Sequence, residues 1–305
     1  MVPWRGTDIL LAVFLLSSIV PAYAQEDAQF RPDGVAPEAG TGQVTDPPSR
    51  MGSERSPTLA ELPLNVLRDQ KFFWVRLFHS NRADLPRTAA ILGAVGVLLP
   101  LDKAAGQELS GAVPGAGFAF SRLVGQWGGG LTDFAVSGGF YLVGRWRKDE
   151  RARITGLLGL RAVADSMSVV HTLKVATQRP RPTHERSSAP NQNAEGEFFT
   201  GGSSFPSGHA AQAWALATVV AHQYRDHRWV PPVAYGLAGL VGVSRVTARK
   251  HFPTDVFLGS VFGYLIGRHV IHEAEAALGQ KPGRWQVLPA VPPEGGMGFT
   301  LSLQF

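Results

Sequence analysis

From about residue 58 onward, long apolar runs alternate with short stretches of Gly, Pro and charge, the runs covering 59–78, 88–101, 118–127, 131–146, 154–177, 210–224, 233–246 and 256–271. No period-two pattern rich in Val, Ile and Thr interrupts them, so each run is predicted to be a helix. Residues 58–279 are long enough for one sizeable core and are expected to form a single all-α helical bundle. The period changes only near the end of the chain. Phe299-Thr300-Leu301-Ser302-Leu303-Gln304-Phe305 alternates strictly, and 285–291 is expected to pair with it across Pro292-Pro293-Glu294-Gly295-Gly296 as a short C-terminal β-hairpin. A terminal Phe on such a strand resembles the closing strand of an outer-membrane barrel, but one hairpin cannot close a barrel. Packing on the bundle or addition to a partner's sheet is therefore the expectation for residues 280–305.

The same runs bear on membrane insertion. At about 1.5 Å per residue, 88–101 spans roughly 20 Å against about 30 Å of hydrocarbon. The longer run from Ile154 carries Arg161 and Asp165 within its apolar face. Both observations favour buried bundle helices over spanning ones, while the short Gly-rich runs 131–144 and 256–267 leave tilted or partial membrane insertion as the alternative. Lys71-Phe72-Phe73-Trp74-Val75-Arg76-Leu77-Phe78 mixes aromatic and basic residues and is expected to pack on the bundle with Lys71 and Arg76 outward.

The first residues follow another pattern. Arg5, an apolar core over 9–20 and Ala22-Tyr23-Ala24 have the form of an export signal cleaved after residue 24, which directs the chain to the periplasm or cell envelope. Residues 25–57 are rich in Pro, Gly, Ser, Thr and acids with few large apolar residues, the composition of a disordered linker. The chain has no cysteine, which excludes disulfides, thiolate catalysis and Cys-based metal sites. A formal net charge of +5 suits anionic small molecules or an anionic lipid surface.

The chemistry is concentrated in 174–255. Lys174, Arg181 and Arg245 offer three cations, two of them guanidinium forks suited to bidentate contact with a phosphate. Ser207 and Gly208 precede an apolar run, so backbone N–H groups and the positive end of a helix dipole are predicted to face the same anion. His251 and Asp255 are four apart, with Pro253 placed to open a helix. That spacing is expected to bring the carboxylate beside the imidazole, fixing its tautomer and making His251 the nucleophile. His209 is expected to protonate the leaving alkoxide and then to activate water. Arg179-Pro180 repeats Arg181-Pro182 two positions earlier, and Arg179 is expected at the site rim. His171 is expected to pack between helices, and His222, His227, His269 and His272 to be solvated. The loop 183–204, with Phe198 and Phe199, is expected to overhang the site.

These three blocks, Lys174-x6-Arg181-Pro182, Pro206-Ser207-Gly208-His209 and Ser244-Arg245-x5-His251-x3-Asp255, resemble the type 2 phosphatidic acid phosphatase and vanadium-dependent haloperoxidase superfamily. The resemblance covers Lys174 to Asp255 with no departure at a signature residue. It implies an all-helical bundle and metal-independent hydrolysis of a phosphomonoester or pyrophosphate, lipid-linked substrates included, through a phosphohistidine at His251. Lys174, Arg181, Ser207, Gly208 and Arg245 would hold the phosphoryl group, His209 would serve the leaving group and Asp255 would orient His251. No metal or cofactor is implied. Vanadate enters only under the alternative of a haloperoxidase, and a further alternative is an envelope scaffold with a vestigial site. The expected partner is a phosphorylated small molecule or lipid, with no nucleic acid.

Overall fold

The computed structural model describes residues 57–78, 85–111, 121, 124–125, 129–182, 198–277, 284–290 and 298–304. The export signal, nearly all of the linker, most of 118–127 and the loop 183–197 lie outside the described residues. After a 3-10 turn (Leu59–Glu61) come α1 (Leu62–Phe78), α2 (Leu85–Gly111), α3 (Gly130–Arg147), α4 (Glu150–Thr177), α5 (Gly208–Gln223), α6 (Val230–Thr247) and α7 (Pro253–Ala277). The described residues are all-α up to a terminal hairpin. There β1 (Arg284–Ala290) pairs antiparallel with β2 (Gly298–Gln304), Val287 opposite Leu301.

Local chemistry sets the helix boundaries. Asp149 caps α4 by accepting from the Ala152 N–H at 3.1 Å, and α4 stops where Gln178 turns left-handed at φ 45°. Ser207 caps α5 through the Ala210 N–H, and Pro231 and Pro232 sit in the first turn of α6. Pro253 opens α7, as its sequence position predicts, and Asp255 in that first turn accepts from the Phe252 N–H at 3.0 Å. One boundary moves substantially. The apolar run 88–101 belongs to a helix that continues through Asp102 to Gly111, because Asp102 is buried by polar partners that its own neighbourhood does not reveal.

Helix α5 is the centre of the bundle and is buried almost all round, with α3, α4, α6 and α7 against it. Leu158 and Ala162 of α4, Ala215 and Val219 of α5, and Val270, Ile271 and Ala274 of α7 form one core cluster. Leu98, Leu101 and Ala105 of α2 pack on Phe257 and Val261 of α7 in another. The contact between α5 and α7 is exceptionally close. Side chains added at Gly259, Gly263 and Gly267 would meet the carbonyl oxygens of Ser207, Ala211 and Ala215 in turn, so the two helices run side by side in the same direction. Their N-termini therefore lie at one end of the bundle. The loop before α5 returns to the end of α4, where Ser204 N–H donates to the Arg179 carbonyl at 2.7 Å, so the C-terminus of α4 meets the same end.

The opposite half carries a buried polar cluster. Arg161 of α4 makes a bidentate pair with Asp69 of α1 at 2.6 and 2.7 Å rather than with Asp165, and His269 of α7 lies 3.0 Å from Asp69. His269 is thus packed, stacked 4.2 Å from the Phe72 ring, and not solvated. His222 likewise pairs with Glu275 at 2.9 Å, whereas His171 is exposed instead of packed between helices. Among the described residues no helix is long and apolar enough to cross a membrane. Several helices nevertheless expose large apolar side chains, among them Leu92, Val97 and Leu99 of α2 and Val233, Leu237 and Leu240 of α6.

Candidate active site

The end of the bundle where α5 and α7 begin gathers the residues singled out in the sequence. Lys174 comes from the last turn of α4, Arg181 from the segment after it, Ser207, Gly208 and His209 from the start of α5, Arg245 from the last turn of α6, and His251 and Asp255 from the entry to α7. Two helix N-termini contribute the positive ends of their dipoles at this point.

The cations lie near enough to act on one another's charge. Burial, then the charges of Arg245, His251, Lys174 and Arg181, push the His209 imidazole down to about 4. Burial and Arg181 bring the Lys174 ammonium down to about 8, and the same two influences lower Arg245. Lys174 Nζ donates to the Ser203 carbonyl at 2.8 Å. Arg245 is buried, and its Nε–H has no hydrogen-bond partner among the described residues. A buried guanidinium donor with no acceptor among the described residues, set beside other cations, suits the binding of an anion.

His251 is 3 % exposed, and its Nδ1 lies 2.7 Å from the Ser204 carbonyl oxygen. A carbonyl only accepts, so Nδ1 carries the proton and Nε2 keeps its lone pair. The sequence spacing predicts that Asp255 makes this bond. Instead the nearest Asp255 oxygen stands 3.8 Å from Nδ1, close enough to act by charge but not as the acceptor. Burial lowers the His251 imidazole, opposed by Asp255. Burial works to raise the Asp255 carboxyl, but His251, Arg179 and Ser204 outweigh it and the net shift is downward.

Arg179 departs most from expectation. It is not at the rim: its guanidinium is buried, donating to Asp255 at 2.6 Å and to Asp102 at 2.7 Å, between the rings of Phe198 and Phe252. The left-handed turn at Gln178 sends it inward. Phe198 therefore packs on Arg179, while Phe199 beside it is exposed. Sequence reasoning also missed Ser204, Thr254 and Asp102. Ser204 and Thr254 flank motif residues, but nothing in the sequence around Asp102 ties it to residues some 150 positions later.

Residues 155–277, the stretch holding all of these groups except Asp102, match the sequence profile of the PAP2 superfamily. A 69-residue stretch is 36 % identical to a lipid A 1-phosphatase of Porphyromonas gingivalis, covering 22 % of this chain and 16 % of that protein. The matched stretch thus spans about a sixth of that relative. Among solved structures, LpxE of Aquifex aeolicus is similar with a TM-score of 0.41 and 23 % identity, over 57 % of this chain and 94 % of that one. A transmembrane PAP2 type phosphatidylglycerolphosphate phosphatase of Bacillus subtilis is similar with a TM-score of 0.42 and 20 % identity, over 71 % and 97 %.

Proposed function

We propose that this chain is a metal-independent phosphohydrolase that cleaves a phosphomonoester or pyrophosphate carried on a lipid. The observation that carries the reading is the set of cations: Lys174 and Arg181, whose charges act on both the His209 and His251 imidazoles, and Arg245, whose charge acts on His209 and whose Nε–H has no acceptor among the described residues. In this reading those cations, the N–H groups after Ser207 and Gly208, and the two helix dipoles hold the phosphoryl oxygens and stabilise charge in transfer. His251 Nε2 attacks phosphorus in line with the leaving oxygen, and the bond to that oxygen breaks as the N–P bond forms. His209, protonated once the dianion offsets the surrounding cations, gives its proton to the departing oxygen. It then takes a proton from water as water attacks the phosphohistidine, returning His251 and releasing phosphate.

The lipid part of the reading is supported by the exposed apolar side chains of α2 and α6, which suit contact with a lipid surface, and by the similarity to a lipid A 1-phosphatase. The proposed location is the periplasmic side of the envelope after removal of residues 1–24, with 58–279 as the phosphatase domain. Phosphate release by the purified protein tests the reading, using phosphatidic acid, a lipid 1-phosphate sugar, a prenyl pyrophosphate and a water-soluble monoester, all with EDTA present. The expected result is release from a lipid substrate that EDTA leaves unchanged and His251→Ala abolishes. Release that survives His251→Ala, or that EDTA removes, would overturn it.

A further inference from the structure

Asp102 sits on α2, outside the residues that match the superfamily, yet both of its oxygens are spent at the site. Oδ1 accepts from the Thr254 N–H at 2.9 Å, and Oδ2 accepts from Arg179 Nη2 at 2.7 Å and from the Thr254 hydroxyl. Arg179 Nη1 in turn donates to Thr254 Oγ1 at 2.8 Å and to Asp255 Oδ1 at 2.6 Å. The other Asp255 oxygen accepts from the Ser204 hydroxyl, and the Ser204 carbonyl accepts from His251 Nδ1. Asp102, Arg179, Thr254, Asp255, Ser204 and His251 are all buried, so water does not dilute any of these contacts.

Resting on the phosphatase reading above, we propose that Asp102 and Arg179 are positioning residues for His251, acting through Asp255 and Ser204. The physical reason is the sharing of one guanidinium between two carboxylates. With Asp102 in place, Arg179 divides its charge, and Asp255 keeps enough negative field to favour the cationic ring that forms when Nε2 is phosphorylated. Without that charge, Arg179 is drawn wholly to Asp255 and neutralises it. The same shift pulls on Ser204 through Asp255, and so on the carbonyl that fixes the His251 tautomer.

The test is Asp102→Asn, which keeps shape and removes charge, alongside Thr254→Val, which keeps all charges and removes the hydroxyl between Asp102 and Arg179. Two quantities are read on the full chain. One is steady-state kinetics on the preferred substrate. The other is the downfield Nδ1–H proton of His251 in histidine-labelled protein, assigned by its loss in His251→Gln. The expected result is a fall in kcat of about tenfold with KM unchanged, together with a displaced His251 proton, in Asp102→Asn or, should that variant not fold, in Thr254→Val. A wild-type kcat with an unmoved proton overturns the proposal, and so does a loss confined to KM. If the unaltered chain releases phosphate from no substrate, the phosphatase reading falls, and the proton alone decides this one: displaced supports it, unmoved overturns it.

Discussion

Gly263 of α7 lies so close to Ala211 of α5 that a side-chain carbon at position 263 would stand 2.1 Å from the Ala211 carbonyl oxygen. The obstacle is backbone and cannot turn aside. Gly259 and Gly267 repeat the arrangement one turn to either side, against Ser207 and Ala215. This stripe sets the spacing between the helix that carries His209 and the helix that His251 and Asp255 introduce. Gly263→Ala is expected to cost about 1–3 kcal/mol, the range for overpacking a filled contact. Activity per folded molecule should fall as well, since a shift of about 1 Å between reacting groups can cost a hundredfold. Denaturant unfolding and a specific-activity assay on the same preparation check both parts.

The bond from His251 Nδ1 to the Ser204 carbonyl makes a distinct prediction for Asp255. Where a carboxylate alone fixes the tautomer, its amide loses catalysis by allowing the wrong ring nitrogen to be protonated. Here the acceptor is the Ser204 backbone carbonyl, which an amide at 255 does not remove. Asp255→Asn should therefore reduce kcat by about 10- to 100-fold, the range for an outer partner that orients a functional histidine, and leave KM unchanged. Stability should also drop, because buried Arg179 loses one of its two described carboxylate partners. Kinetics and thermal unfolding of the one variant separate the two effects.

Arg245 is expected to report on the anion directly. Lysine keeps the charge and loses the Nε–H that has no acceptor among the described residues. Arg245→Lys should weaken binding of vanadate, a mimic of the phosphoryl group, by about 10- to 100-fold, corresponding to one charge-assisted hydrogen bond. Titration calorimetry measures this without turnover.

The three blocks proposed as catalytic were legible as a group because 174–255 carries its chemistry at fixed short spacings that helix geometry brings to one end of the bundle. Pro253 marked the start of α7 and Ser207 the cap of α5 for purely local reasons. What was not legible depends on contacts distant in sequence. Two Arg-Pro pairs in succession do not reveal which guanidinium turns inward; the left-handed Gln178 and the return of Ser204 onto Arg179 decide it. The apolar pattern of α2 ends at Leu101 because Asp102 is charged, yet Asp102 is buried since Arg179 and Thr254 supply its partners. His269 looked solvated for a similar reason, as its partner Asp69 is 200 residues away.

His209 should make the free protein sensitive to mild acid. Its imidazole is held at about 4, below the ordinary 6.5 of an unfolded chain. Between about pH 4 and 6.5 the unfolded state then binds more protons than the folded one, so His209 makes stability fall as pH is lowered through that window. His209→Gln, which cannot take up the proton, should flatten the slope of unfolding free energy against pH there. A bound dianion acts the other way by offsetting Arg245, Lys174 and Arg181, so vanadate should raise the His209 pKa in a nuclear magnetic resonance titration. A His209 resonance that titrates identically with and without vanadate would contradict its placement beside the anion.

The Asp69–Asp165 pair supplies a test far from the phosphate. Asp165 is buried among α1 and α4, and burial, then the neighbouring Asp69, push its carboxyl up to about 9. Burial also works to raise Asp69, but His269 and Arg161 outweigh it and hold that carboxyl at about 2. The pair thus carries one proton at neutral pH, on Asp165. Because the folded state keeps a proton that an unfolded Asp releases near 3.9, stability contributed here declines as pH rises from about 4 toward 9. Asp165→Asn mimics the protonated form, and should remove that decline and leave the protein more stable than wild type at pH 8. Arg161→Met should do the reverse, leaving buried Asp69 without its bidentate guanidinium partner and with His269 beside it, at a cost of about 3–5 kcal/mol. Arg161 lies 13 residues before Lys174 on α4, roughly 20 Å along the helix, so neither variant should alter activity per folded molecule. Unfolding free energies across pH 5–9, with kcat measured beside them, distinguish this structural role from a catalytic one.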